Sequence, residues 1–107
     1  MDAGRYLCSE LLVVKTIAGE SVVNLEEIWT DGAVLECDTP PDTGSAIEIL
    51  GGGVAFQGIV TKLEPHEFGC RAEIRLSPLT PWSPDRFAPK HLLAVSTVGQ
   101  ASPPKGR

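Results

Sequence analysis

Little in this chain of 107 residues suggests a covalent scaffold or a membrane anchor. Cysteine is scarce and odd in number. Cys8, Cys37 and Cys70 lie 29 and 33 residues apart with no Cys-x-x-Cys pair, a spacing that suits neither a disulfide framework nor a zinc knuckle. They read as reduced thiols packed inside a protein. Apolar runs are short: Leu11-Leu12-Val13-Val14 falls far below the roughly 20 residues of a membrane-spanning helix, so no membrane insertion is expected. The opening Met1-Asp2-Ala3-Gly4-Arg5 lacks a basic stretch followed by an apolar one, so the expected location is cytoplasmic.

Basic clusters are missing as well. Residues 1–95 carry 14 acidic and 7 basic side chains, net −7, and residues 96–107 add only Lys105 and Arg107, for −5 in all. An acidic body without a Lys/Arg patch is poorly suited to the phosphates of DNA or RNA. The expected partners are instead another protein, with the chain a monomer or a homodimer.

Catalytic signatures are absent in the same way. The chain has no Gly-x-Ser-x-Gly elbow, no P-loop lysine and no His-Glu-x-x-His, and neither His66 nor His91 has a Cys, Asp or His at ligand spacing. Gly51-Gly52-Gly53 joins two apolar segments and has no helix after it, so it reads as a turn rather than a phosphate cradle. Glu26-Glu27 would diverge across a strand, because neighbouring residues there face opposite sides. The expectation is a non-enzyme with no metal and no cofactor.

What the sequence does contain is alternation. In Cys70-Arg71-Ala72-Glu73-Ile74-Arg75-Leu76 the apolar residues fall on one face and three charges on the other, the pattern of a half-buried strand. Leu7–Thr16, Ser21–Ile28, Ala33–Cys37, Ala46–Leu50 and Val54–Leu63 read similarly. The links between them are too short for helical crossovers, so the strands are antiparallel. Ala18-Gly19-Glu20 and Gly51–Gly53 are turns, and Pro65–Gly69 is a five-residue hairpin loop. Asp38–Gly44, with Pro40 and Pro41, is a rigid connection.

Six strands with one buried face each predict an all-β fold, a six-stranded antiparallel barrel. Ser83 as N-cap, Pro84 at the first helical position and Asp85 in the first turn predict a short C-terminal helical segment. Trp82, Phe87, Leu92 and Leu93 would pack this segment over one end or side of the barrel. The expected organisation is one domain over residues 1–95 and a flexible tail over 96–107.

The segment Asn24–Asp38, with Trp29-Thr30-Asp31-Gly32-Ala33 at its centre, followed by Pro40–Ile49, resembles the PilZ domain, a bacterial six-stranded barrel of the split-barrel type that serves as a receptor for cyclic di-GMP. The resemblance covers about residues 5–95. It places Gly32-Ala33 at the second-to-third strand junction, with Glu27 at the family's acidic position and Trp29 where the family has a serine. Thr30 is one place off. Of the family's two arginines four apart before the barrel, Arg5 is the candidate for one, with Ser9 four residues later. The resemblance thus implies a signalling module with a remnant ligand face of Arg5, Ser9, Glu27, Trp29, Thr30 and Gly32. Cyclic di-GMP would be held weakly or not at all, because a second guanidinium cannot be replaced by Ser. Trp29 is expected either to plug the barrel mouth or, with Asp31, to contact a protein partner. The alternative is a working cyclic di-GMP receptor built on Arg5 and the Glu27–Gly32 turn.

Overall fold

The structure, a computed structural model, describes residues 4–94. The expected tail at 96–107 and residue 95 lie outside this range. Seven strands run in chain order: β1 (Tyr6–Thr16), β2 (Gly19–Trp29), β3 (Gly32–Cys37), β4 (Ala46–Gly51), β5 (Val54–His66), β6 (Gly69–Leu76) and the two-residue β7 (Leu93–Ala94). All pairings are antiparallel. The sequence β2-β3-β6-β5-β4-β1 closes through a β1–β2 pairing into a six-stranded barrel, and β7 adds to the start of β1 at Tyr6 and Leu7. Closure removes most of the open edge that a six-stranded sheet would expose, leaving β5 unpaired with β4 beyond Ile59.

Alternation sets which face is inside. Leu12 and Val14 of β1, Ile47 and Ile49 of β4, and Ala72, Ile74 and Leu76 of β6 point inward and meet Val23, Leu25, Leu35, Phe56 and Val60 in one core. Burial of a side chain the size of Leu25 or Phe56, both almost wholly enclosed, contributes about 1.5–3 kcal/mol.

Three bulges interrupt the ladders, between Leu7 and Glu10 on β1, between Leu25 and Glu27 on β2, and between Val60 and Lys62 on β5. A bulge puts an extra residue against one partner residue and resets which side chains face out.

The two barrel ends are built differently. At one end lie the Thr30–Asp31 and Gly52–Gly53 turns. Both glycines of the second turn have left-handed backbone, φ 60° and 80°, as a two-residue hairpin of this twist requires. This end is closed by the segment after Leu76. Its Ser77 N–H donates to Gln57 O at 2.8 Å, and its Trp82 N–H donates to Thr30 O at 2.8 Å. Trp82 and Phe87 are buried in the core, and the Trp82 indole N–H donates to Phe87 O at 2.8 Å. Leu92 packs partly against the core, while Leu93 is exposed. The other end carries the Ile17–Ala18 turn, the Asp38–Ser45 connection and the Glu67–Phe68 turn.

Several local expectations are corrected. No helix forms among the described residues. The segment expected to be helical makes one turn, in which the Arg86 and Phe87 N–H groups both donate to Ser83 O, and Pro89 then prevents propagation by disfavouring helical backbone at Ala88. The five-residue loop at Pro65–Gly69 is a two-residue turn, because β5 runs on to His66. Pro65 is tolerated there because β5 pairs with β4 only up to Ile59, so its missing donor faces an open edge. The first turn is Ile17–Ala18 rather than Ala18–Glu20. His91 is exposed and in left-handed backbone, φ 61°.

Candidate functional site

Arg5 precedes β1, and Glu27 and Trp29 lie near the end of β2. The Leu7↔Glu27 register brings Arg5 to that end. Arg5 Nε donates to Glu27 Oε1 at 2.8 Å, and its guanidinium carbon lies 4.1 Å from the Trp29 ring centroid, a cation–π stack. The Trp29 ring also lies against Gly32, where a Cβ would overlap Trp29 Cε2 and Cζ2. Arg5, Glu27, Trp29 and Gly32 are therefore brought together, with the indole in contact with both the guanidinium and the glycine. Trp29 does not plug the barrel, a role taken by Trp82. Nor does it stand free, since Arg5 covers it.

Gly32→Ala is expected to displace the indole and loosen Arg5. The cost should be about 1–3 kcal/mol by urea denaturation. The Trp29 indole N–H resonance should shift, while that of Trp82 stays in place.

The remaining expected residues sit elsewhere. Ser9 donates from its hydroxyl to Asn24 Oδ1 at 3.3 Å and from its N–H to Lys90 O at 3.0 Å, so it braces the chain at the β1 bulge and supplies nothing to the Arg5 face. Thr30 and Asp31 form the exposed turn. Their carbonyls accept the Trp82 and Leu76 N–H groups, and neither side chain reaches Arg5 by a hydrogen bond or ion pair among the described residues.

Sequence reasoning missed Arg71 on β6. Its Nη2 reaches Glu27 Oε2 at 3.4 Å and its Nε lies 3.0 Å from Glu26 Oε1. The second contact is an ion pair whose Nε–H is poorly aligned with the carboxylate. Glu26 and Glu27, expected to diverge, both turn to Arg71, because the β2 bulge places the pair opposite the step from Leu35 to Val34. Arg5, Glu27, Arg71, Lys62, Glu64 and Glu73 then surround an outward-facing concavity of about 170 Å3, with Val34 at its base. Val34 is buried yet outside the barrel core, sheltered by the aliphatic stems of the charged side chains. With Glu26, three cations face four carboxylates, net −1. Beside them His66 Nε2 lies 3.1 Å from Glu36 Oε2.

Burial, and then the neighbouring Glu36 carboxyl, push the Glu26 carboxyl above its ordinary range, while Arg71 pulls the other way. The folded chain therefore holds the Glu26 proton to higher pH than the unfolded chain does. Folding binds protons in that window, and stability falls as pH rises through it. Glu26→Gln is expected to raise Tm at neutral pH by about 2–5 °C. The gain should vanish near about pH 3, where both states of the parent are protonated.

Elsewhere the chemistry is quiet. Burial pushes the Cys8 and Cys37 thiols up to about 12, where they stay protonated and poorly nucleophilic. Cys37 and Cys70 face each other across β3 and β6 as free thiols. Among the described residues no three His, Cys, Asp or Glu side chains converge as metal ligands, and no helix is long and apolar enough to cross a membrane. The concavity is lined by two guanidiniums, one ammonium, three carboxylates and Val34, an arrangement suited to admitting or refusing an anion at Arg5 and Arg71. No protein-family model, curated protein or solved structure matches the chain.

Proposed function

We propose that the chain is a PilZ-like regulatory binding domain whose nucleotide face is neutralised from within, and which acts through protein contacts near Trp29 and Asp31. The observation that carries this reading is the ion pair of Arg5 with Glu27 at 2.8 Å, made while Arg5 stacks on Trp29. The guanidinium that would meet a phosphate of cyclic di-GMP already has an anion. Glu27 also engages Arg71 at 3.4 Å, so one carboxylate occupies both guanidiniums of the concavity.

A charge-assisted hydrogen bond contributes about 1.5–3 kcal/mol net. A ligand that must first displace Glu27 forfeits much of that gain. The barrel closure and strand order described above are compatible with the reading, as is the position of Arg5 beside the β2–β3 turn.

Calorimetric titration of cyclic di-GMP at low salt tests it. No heat is expected with about 100 µM protein, the range in which a micromolar ligand saturates. The opposite result, a Kd below about 10 µM that Arg5→Ala abolishes, would favour a working receptor. One observation supports that second reading. Arg71 brings the concavity a second guanidinium whose Nη2 makes only a long contact, 3.4 Å, to Glu27, and a phosphate oxygen could compete for that group.

A further inference from the structure

We propose that the open end of the barrel is a binding pocket for a small apolar molecule carrying a cationic group, a compact aliphatic or aromatic amine. This site lies at the end opposite Trp82 and Phe87 and is independent of the Arg5 face.

The asymmetry of the barrel makes the pocket. Two aromatic side chains fill one end, whereas at the other Phe68 is exposed on its turn and no aromatic residue lines the cavity. There a cavity of about 290 Å3 enters between the Ile17–Ala18 turn and the Asp38–Ser45 connection. Its wall is the last core layer: Val14, Val23, Leu35, Cys37 and Ile47, all buried. The only heteroatom on those five side chains is the Cys37 sulfur, and its thiol stays protonated. An apolar cavity of about 150 Å3 is enough to take up benzene, so this one accommodates a ring with a short chain. The size is at the lower end of ordinary ligand pockets.

Charge at the mouth selects the head group. The two charged residues lining the cavity are Glu20 and Asp42, both acidic, set among the hydroxyls of Thr16, Ser21, Thr39 and Ser45. The Lys15 ammonium is 3.7 Å from Glu20 on an exposed stretch of β1, and Lys15 does not line the cavity. A carboxylate ligand would enter against two like charges, whereas an ammonium would sit beside them at the exposed mouth while its apolar part enters the buried wall. The chain's net charge of −5 also draws cations toward the mouth. Ile17, fully exposed on the turn above the opening, extends the apolar wall over whatever occupies it.

The test uses three probes matched in size: 2-phenylethylamine, 2-phenylethanol and phenylacetate, titrated into the 15N-labelled full chain and followed by amide shifts. Saturable shifts are expected at Val23, Leu35, Cys37 and Ile47. The amine should bind about tenfold or more tighter than the carboxylate, with the alcohol between them. Glu20→Gln combined with Asp42→Asn should bring the amine and alcohol affinities together. Ser21→Trp, which places an indole in the mouth from a position outside the core, should remove the shifts for all three. The proposal is overturned by any of three results in the parent chain: no saturable shift up to about 10 mM amine, shifts centred away from the cavity, or phenylacetate binding as tightly as the amine.

Discussion

Replacing Trp82 by alanine is expected to destabilise the chain by about 3–5 kcal/mol, lowering Tm by about 15 °C or more for a domain of this size. Trp82 is 2% exposed and holds three things together. Its ring meets Tyr6 edge-on, with centroids 5.3 Å apart. Its indole N–H caps the Phe87 carbonyl, and its backbone N–H ties the C-terminal segment to the β2–β3 turn. Truncation opens a cavity and leaves the Phe87 carbonyl without its donor.

Phe87 lies against Gly51 and Gly52 and tilts toward Phe56, with centroids 6.4 Å apart. The whole segment should therefore detach from the barrel end when its main anchor goes. Urea denaturation of Trp82→Ala should show the loss as a lower midpoint. Amide exchange should be accelerated first at Ser77–Leu92, before the strands. A loss below about 1 kcal/mol would mean that the segment is not part of the cooperative unit.

The strands were legible because their signal is local. Alternation over Cys70–Leu76 or Ala46–Leu50 needs no partner to be read, and each short link forces its neighbours antiparallel. Trp82 and Phe87 were placed on the barrel for a similar reason, since large apolar groups flanked by prolines have to be covered by something. The local folding of that piece is less legible, because cap residues at Ser83–Asp85 indicate where a helix could start but not that Pro89 ends it after one turn.

The site was half legible. Arg5, Glu27, Trp29 and Gly32 are grouped in the sequence only by the resemblance, which also includes Ser9 and Thr30, and the β1–β2 and β2–β3 pairings bring the four together. Arg71 was not grouped with them, because β3 and β6 are separated by another hairpin and nothing local says that they pair. The bulge at Glu26 was equally hidden. One extra residue in β2 leaves the apolar pattern almost intact, with Leu25 and Ile28 both inside, yet it turns two adjacent carboxylates onto one arginine. A faint signal existed in that spacing of three between buried positions, where an uninterrupted strand would give two or four.

Glu27 is where stability and binding are expected to oppose each other. Glu27→Gln removes the charge that Arg5 and Arg71 share while keeping the side chain's size. Two guanidiniums then face Lys62 with fewer carboxylates between them. The fold should weaken by about 1–2 kcal/mol, the scale of lost charge-assisted hydrogen bonds, with less loss at high salt because Arg5 is half exposed. The same change frees the cations for an external anion. Under the proposed reading, cyclic di-GMP affinity should rise about tenfold or more, which corresponds to about 1.4 kcal/mol, and Arg71→Ala in the Glu27→Gln background should cancel the gain. Titration of parent, single and double variants at two salt concentrations separates the terms. If Glu27→Gln weakens the fold but leaves nucleotide affinity unchanged, Glu27 is a structural brace, and internal neutralisation does not explain a silent face. If affinity rises and falls again with Arg71, one carboxylate, turned by one bulged residue, is what keeps this face closed to anions.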